Sequence, residues 1–350
     1  MKNFDAEYLS LEGRIGEAIG GSAIAEETFR ALALDIHVFQ RRHNRAYDRY
    51  CQQLDTPAVL HDWREIPAVP QAAFKLADLC SFPADKSIRT FHTSGTTGEG
   101  YGRHHFWSLE LYHRAVVRGW EFFGLPHLPQ IVLTPRPMQA PHSSLAEMMN
   151  ALPGPSQFFI ADDGQLVTGV LVQRLRRQED AQEPVMLLGT ALAFLNFFEY
   201  CSAHRLRFPL PAGSAAMETG GYKGTGRDIP RNELYAMFGE LLDLAPDNVI
   251  NEYGMTELSS QCYTRGLHRP HEAPPWLRVL VIDPETGNEV AVGGAGVLRL
   301  FDLANLGSVL AIETQDLAVR SDHGFQLLGR APGALPRGCS RAADEALRNS

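Results

Sequence analysis

Thr90-Phe91-His92-Thr93-Ser94-Gly95-Thr96-Thr97-Gly98-Glu99-Gly100 is the stretch on which the reading of this chain turns. Four hydroxyl donors, Thr93, Ser94, Thr96 and Thr97, fall within five residues, with glycines at 95, 98 and 100 among and after them. Glycine permits positive φ and close backbone approach, and successive N–H groups with Ser and Thr hydroxyls can surround an anion. The composition therefore suits phosphate oxygens. A Walker loop is excluded, because GxxxxGK[ST] demands a lysine that the stretch lacks. An ordinary surface turn has the same composition, so the neighbouring sequence must decide.

On the N-terminal side, apolar and aromatic residues recur at helical spacing (Phe29, Leu32, Ile36, Phe39, Tyr47, Tyr50), predicting one or two amphipathic helices between Ala23 and Leu54. Pro57 to Pro83 reads as connecting structure with short helices. On the C-terminal side, β-prone runs at Ile131–Thr134, Gln157–Ile160, Val185–Leu188 and Asn248–Ile250 alternate with helix-like segments near 143–151, 164–177, 190–204 and 231–244. That alternation predicts an α/β fold, doubly wound, with mainly parallel sheets wrapped by helices. From Leu277 the pattern changes to short strands with glycine turns, LRVLVID, GVLRLFDL, SVLAIET and GFQLLGR, a smaller β-rich subdomain. The expected organisation is a helical scaffold over 1–56, an α/β core over 57–275, the β-rich part over 276–330 and a short tail over 331–350, packed as one compact body.

Composition narrows the function classes. Hydrophobic residues make up 44% and charged residues 21%, without low-complexity sequence, as in a folded globular chain. Net charge is −9 and no basic cluster is interleaved with aromatics, which argues against an extended nucleic-acid surface. The acidic start MKNFDAEYLSLEGR is unlike a signal peptide. The longest apolar stretch, Val185 to Phe198, falls short of the about 20 residues a bilayer requires, so no membrane span is expected. Five cysteines, odd in number and far apart, suggest neither a disulfide framework nor a thiolate zinc site, and a reducing cytoplasm fits. His104, His105 and His142 show no metal-ligand spacing, and GxSxG of the serine hydrolases is absent.

Two further motifs follow the loop. Asn251-Glu252-Tyr253-Gly254-Met255-Thr256-Glu257 comes directly after the strand-like DNVI, at a strand's carboxyl end, where open α/β sheets bind ligands. There Tyr253 offers a flat face for adenine, Thr256 a hydroxyl for the α-phosphate and Glu257 a hard oxygen for Mg²⁺. Glu313-Thr314-Gln315-Asp316-Leu317 and Gly324-Phe325-Gln326-Leu327-Leu328-Gly329-Arg330 complete the set. In this order the three resemble the phosphate loop, the second nucleotide motif and the TxDL and GR pair of the adenylate-forming superfamily. That superfamily includes acyl-CoA synthetases, nonribosomal-peptide adenylation domains and firefly luciferase. The resemblance implies that Thr93, Ser94, Gly95, Thr96, Thr97 and Gly98 hold the β- and γ-phosphates of ATP. It also implies that Tyr253 and Gly254 border the adenine, that Asp316 accepts the ribose hydroxyls, and that Arg330 sits by the ribose at a hinge.

Typical members continue beyond that hinge into a small C-terminal domain that supplies a catalytic lysine. Here 20 residues follow Arg330, so the expected architecture is the large N-terminal domain without its usual C-terminal domain. This, with GRHHF after the loop, ETGGYKG at 218–224, LFDLAN at 300–305 and PRGCS at 336–340, resembles the acyl-protein synthetase family, of the bioluminescence fatty-acid reductase synthetase type, from about residue 60 to 340. The implied reaction is ATP- and Mg²⁺-dependent activation of a carboxylic acid, a fatty acid before others, followed by transfer to a thiol. The acceptor could be the chain's own Cys339, a partner reductase, a carrier protein or CoA, and a catalytically silent nucleotide-binding subunit is the contrasting reading. An oligomer is left open.

Lys223, the only lysine beyond residue 86, lies in the glycine-rich ETGGYKGTGRD and is the candidate for the missing positive charge. Cys339, beside Arg337 and Gly338, is the candidate acyl acceptor that the family resemblance suggests. Phe194, Phe198, Met217, Gly220 and Gly221 are candidates for the walls of the acyl slot, with core packing the alternative for each apolar side chain. His142 is placed beside the carboxylate, with a helix-start loop as its alternative.

Overall fold

The computed structural model describes residues 2–93, 100–220 and 229–330. They form two compact units built from interleaved stretches of chain. Unit 1 takes Met1–Phe122, Met255–Gln261 and the described part of Pro270–Ser350; unit 2 takes Phe123–Gly254 and Cys262–Arg269.

Unit 1 begins with three helices, α1 (Lys2–Gly20), α2 (Glu26–His43) and α3 (Arg45–Gln53). In α2, Phe29, Leu32, Ala33, Ile36 and Phe39 are spaced by one or three residues and share the buried face. Glu26 and Glu27 occupy its first turn and Arg41, Arg42 and His43 its last, matching the helix dipole at both ends. Asn44 stops α2 and caps α3 by accepting from the Tyr47 amide at 3.1 Å. Helix α1 goes beyond the sequence expectation, although Phe4, Tyr8, Leu11, Ile15 and Ile19 trace a buried stripe of helical period. Next come β1 (Val69–Pro70), a 3₁₀ turn at Gln71–Lys75, the antiparallel pair β2 (Arg89–His92) and β3 (Arg103–Phe106), and α4 (Glu110–Phe122).

Unit 2 alternates strand and helix: β4 (Gln130–Val132), α5 (Ser144–Ala151), β5 (Ser156–Phe158), α6 (Thr168–Ala181), β6 (Met186–Thr190), α7 (Ala191–Ala203), β7 (Ala215–Thr219), α8 (Arg231–Leu242), β8 (Val249–Tyr253) and β9 (Cys262–Arg265). The strands lie in the order β5-β4-β6-β7-β8-β9, parallel except for β9 against β8. Val185 to Leu188 are wholly buried, as expected of a strand covered on both faces. Phe194, Phe197, Phe198, Phe208 and Phe238 dominate the core beside this sheet.

The chain then returns to unit 1 as β10 (Leu277–Ile282), β11 (Ala295–Asp302), β12 (Ala311–Ser321) and β13 (Gly324–Arg330). Their sheet runs β1-β12-β11-β10 with β13 also on β12, antiparallel apart from β1, whose Val69 pairs in parallel with Ile312. The core of unit 1 joins Phe29, Ile36 and Phe39 of α2 to Trp63, Trp276, Phe301 and Leu306. No described helix is long and apolar enough to cross a membrane.

Candidate active site

The candidate residues divide between the units. Thr93, Thr256, Glu257, Asp316 and Arg330 belong to unit 1; Tyr253, Gly254, Met217, Gly220, Phe194 and His142 belong to unit 2. Ser94 to Gly98, Gly221, Lys223 and Cys339 lie outside the described residues.

In unit 1 the glycine and hydroxyl loop leaves and rejoins a closed base. The Thr93 amide donates to the Gly102 carbonyl at 2.9 Å, and the Gly102 amide donates back to Thr93 Oγ1 at 2.8 Å. A Cβ at Gly102 would come within 3.0 Å of both Thr93 Cγ2 and Oγ1, so the close approach favours glycine. Immediately before the loop, the His92 and Tyr101 rings stack with centroids 5.8 Å apart.

Thr256 and Glu257 are held to this same unit from several directions. The Thr256 carbonyl accepts from His104 Nδ1 at 2.8 Å, and its Oγ1 lies 3.5 Å from the His92 carbonyl. Glu257 is buried, its Oε1 accepts from Gln71 Nε2 at 3.1 Å, and its carbonyl accepts from Asn305 Nδ2 at 2.9 Å. Behind them stands Asp302, wholly buried. It accepts from the Ser259 and Ser260 amides, the Ser260 hydroxyl and the Ala304 amide at 2.7–3.0 Å. Burial pushes the Asp302 carboxyl up to about 6, and the four donors resist that rise. Gln40 from α2 fastens the following turn by donating to the carbonyls of Asn305 and Leu306 and accepting from the Leu310 amide. Asp316 and Arg330 are direct cross-strand partners on β12 and β13, with Arg330 Nε 3.6 Å from Asp316 Oδ1.

In unit 2 the carboxyl ends of β7 and β8 are crosslinked by acids. Thr219 hydrogen-bonds Glu252, its register partner. Glu218 accepts from Asn251 Nδ2 at 2.7 Å and from the Tyr235 hydroxyl at 3.3 Å, with Arg231 Nε 3.6 Å away. Burial pushes the Glu218 carboxyl up to about 7, against the pull of the Arg231 charge and these hydrogen bonds. Tyr253 ends β8 in a largely buried position, and Gly254 after it is exposed. Gly220 follows β7 with φ of +66° and nothing within 4 Å of the Cβ it lacks.

The acyl-slot candidates occupy different surroundings. Phe194 is wholly buried against Phe198 and Phe238, with centroids 5.9 and 4.8 Å away, and Met217 is wholly buried on β7 between Leu188 and Ile250. His142 is exposed one residue before Ser143, whose side chain caps α5 by accepting from the Ala146 amide at 3.1 Å. The sequence by itself assigns no role to Gln71, Glu252, Asp302 or Asn305. GRHHF and LFDLAN are legible there only as family marks, and the contacts of His104, Asp302 and Asn305 give those two motifs a physical reason.

Comparison with known proteins bears on the same features. The family model described as acyl-protein synthetase, LuxE, matches residues 22–348. The long-chain-fatty-acid–luciferin-component ligase of Aliivibrio fischeri is 23% identical over 300 residues, which are 82% of this chain and 78% of that protein. Among solved structures, an open conformation of 2-hydroxyisobutyryl-CoA ligase in complex with 2-HIB-AMP and CoA superposes with a TM-score of 0.66 at 14% identity, covering 90% of this chain and 73% of that one. McyG A-PCP complexed with phenylalanyl-adenylate gives 0.52 at 15% identity, covering 72% of this chain and 42% of that one. At these identities the structural likenesses establish the fold. With a family model matched over nearly its whole length, the chain belongs to the acyl-protein synthetase family, LuxE.

Proposed function

We propose that this chain activates a carboxylic acid with ATP, as an acyl-AMP, and then passes the acyl group to a protein thiol. The carrying observation is the family match over residues 22–348. The packing of Thr256 and Glu257 beside the base of the glycine and hydroxyl loop supports it. In the first step a carboxylate oxygen attacks the α-phosphorus of ATP and the bond to pyrophosphate breaks; in the second a thiolate attacks the acyl carbonyl and AMP leaves. A fatty acid is the favoured substrate, because the Aliivibrio fischeri relative is named for long-chain fatty acids.

The proposed roles follow the motifs. Thr93 and residues 94–98 hold the β- and γ-phosphates, Thr256 the α-phosphate, Tyr253 and Gly254 the adenine, and Asp316 with Arg330 the ribose. Glu257, one buried carboxylate, fits Mg²⁺, which is commonly held by one or two carboxylates together with substrate phosphates. Bound there, the ion would neutralise charge on the phosphates. Lys223 supplies positive charge where carboxylate and phosphate meet. His142, Gly220, Gly221, Met217 and Phe194 contribute to the acid's side of the site, the last two from within the core.

Cys339 is the proposed acceptor. Cys51, Cys80, Cys201 and Cys262 are buried thiols, and burial pushes the first three up to about 11, which makes them poor thiolates. A reducing cytoplasm would keep an acceptor thiol available.

The test is acid-dependent exchange of pyrophosphate into ATP across fatty, aromatic and amino acids, followed by labelling of the protein with radioactive acid. The expected result is exchange with fatty acids, its loss by about 100-fold or more in Lys223→Ala, and loss of hydroxylamine-labile label, with exchange intact, in Cys339→Ser. Label persisting in Cys339→Ser moves the acceptor to another thiol, and label appearing only on CoA or a carrier protein rejects the protein-thiol step. Failure of every acid to support exchange favours a silent nucleotide-binding subunit.

A further inference from the structure

Strand β3 carries two adjacent histidines, which pleating sends to opposite faces. His105 serves the hairpin's surroundings: Nε2 lies 3.0 Å from Asp78 Oδ1, and Nδ1 lies 2.9 Å from Ser87 Oγ and 3.1 Å from Thr90 Oγ1. His104 reaches much farther along the chain. Only 1% exposed, it meets the carbonyl of Thr256, 152 residues away in sequence. A carbonyl can only accept, so His104 carries its proton on Nδ1. Burial pushes the ring down to about 4, opposed by the Thr256 bond, and it is neutral at ordinary pH.

The ring is also fixed in its plane. Phe74 packs on it at 5.7 Å and Phe106 at 4.2 Å between centroids. Phe74 shares the Gln71–Lys75 turn with Gln71, which donates to Glu257. The Thr256 hydroxyl contacts the carbonyl of His92, the last residue of β2 before Thr93. One residue is thus held by its main chain to β3 and by its side chain to β2.

The geometry points to His104 as a positioning residue for adenylation: its Nδ1–H fixes the Thr256 peptide against the two strands that bracket the phosphate loop. The Thr256 hydroxyl is then held in a set register to His92 and Thr93, where the loop begins. This inference rests on the adenylate-forming reading above. It assigns a role in the reaction to a buried histidine that touches no substrate. Small displacements of a group aligned on a reacting phosphate are costly in rate, so the effect should appear in turnover more than in nucleotide affinity.

Two amides separate positioning from mere packing. In His104→Asn the amide nitrogen lies where Nδ1 lies and can still donate to Thr256; in His104→Gln it lies near Nε2 and cannot. The full-length chain carrying each change is compared in pyrophosphate exchange and in thermal midpoint. The expected result is His104→Asn within about threefold of the parent, and His104→Gln lowered about tenfold or more in kcat while KM for ATP moves less than about threefold. Equal activities for the two variants, or a loss confined to KM, would overturn the inference. Should neither variant fold, long-range proton–nitrogen NMR of the unmodified chain decides. The Nδ1–H form supports the assignment, and the Nε2–H form rejects it. An unmodified chain that fails to exchange pyrophosphate with every acid tested defeats the proposed function instead, and NMR still tests the His104 bond.

Discussion

Around Thr256 in unit 1, the fastening groups are neutral: a histidine ring, the Gln71 amide and the Asn305 amide. At the carboxyl ends of β7 and β8 in unit 2, two buried carboxylates, Glu218 and Glu252, do the fastening, with Arg231 beside the first. Neutral donors hold a geometry whatever the pH between the pKa values of ordinary side chains. A buried carboxylate brought up to about 7 does so only while its protonation is fixed. The two regions should therefore respond to different perturbations, the first to lost donors and acceptors and the second to acidity.

The largest effect is expected where unit 1 does rely on a charge. Asp302→Ala removes the acceptor of four donors within a wholly buried network, and should lower the unfolding free energy by about 3–5 kcal/mol in urea titrations. A loss below about 1 kcal/mol would show that the neutral contacts alone hold the 255–261 segment.

Next is the acidity of unit 2. The Glu218 carboxyl is higher in the folded chain, about 7, than its ordinary value of 4.5, so the folded state keeps a proton that the unfolded state has released. Its stabilising contribution is fully present below about pH 4.5 and is lost as pH rises through about 7. Glu218→Gln should flatten the stability profile over that window by on the order of 3 kcal/mol. An unchanged profile would remove the contrast between the units. The smallest effect is a helix cap in unit 2, where the Thr190 hydroxyl accepts from the Ala193 amide at 3.1 Å. Thr190→Ala should cost about 1 kcal/mol at any pH, and a cost that varies with acidity would tie the cap to the carboxylates.

Much of the fold could be read from periodicity. The runs at 131, 157, 185 and 248 all become parallel strands; those at 131 and 185 are buried on both faces, as an unbroken apolar stretch implies, whereas β5 at the sheet's edge leaves Ser156 and Gln157 exposed. Strand β7 escaped as AAMET, since alanines and a buried glutamate carry little β signal, and it forms because neighbours on both sides supply its hydrogen bonds. The pair β2 and β3 escaped because residues 93–102, the loop among them, separate His92 from its register partner Arg103, and a hairpin signal depends on a short turn. The motif residues were recognisable by chemical type. Their supports were not: Gln71 and Glu257 are 186 residues apart, and Gln40 and Asn305 are 265 apart. No local pattern carries such pairings, and the interleaving of the units along the chain is hidden for the same reason.

That interleaving also fixes an order of events at the ribosome. Every segment of unit 2 has been synthesised once Arg269 is made, whereas the first 122 residues must wait for β10 to β13, and β1 for its partner β12, all of which are made after it. During that interval the apolar faces of α1 and α2 lack the strands that later cover them, so the nascent chain carries an early, greasy, unfinished unit behind which a later one can already close.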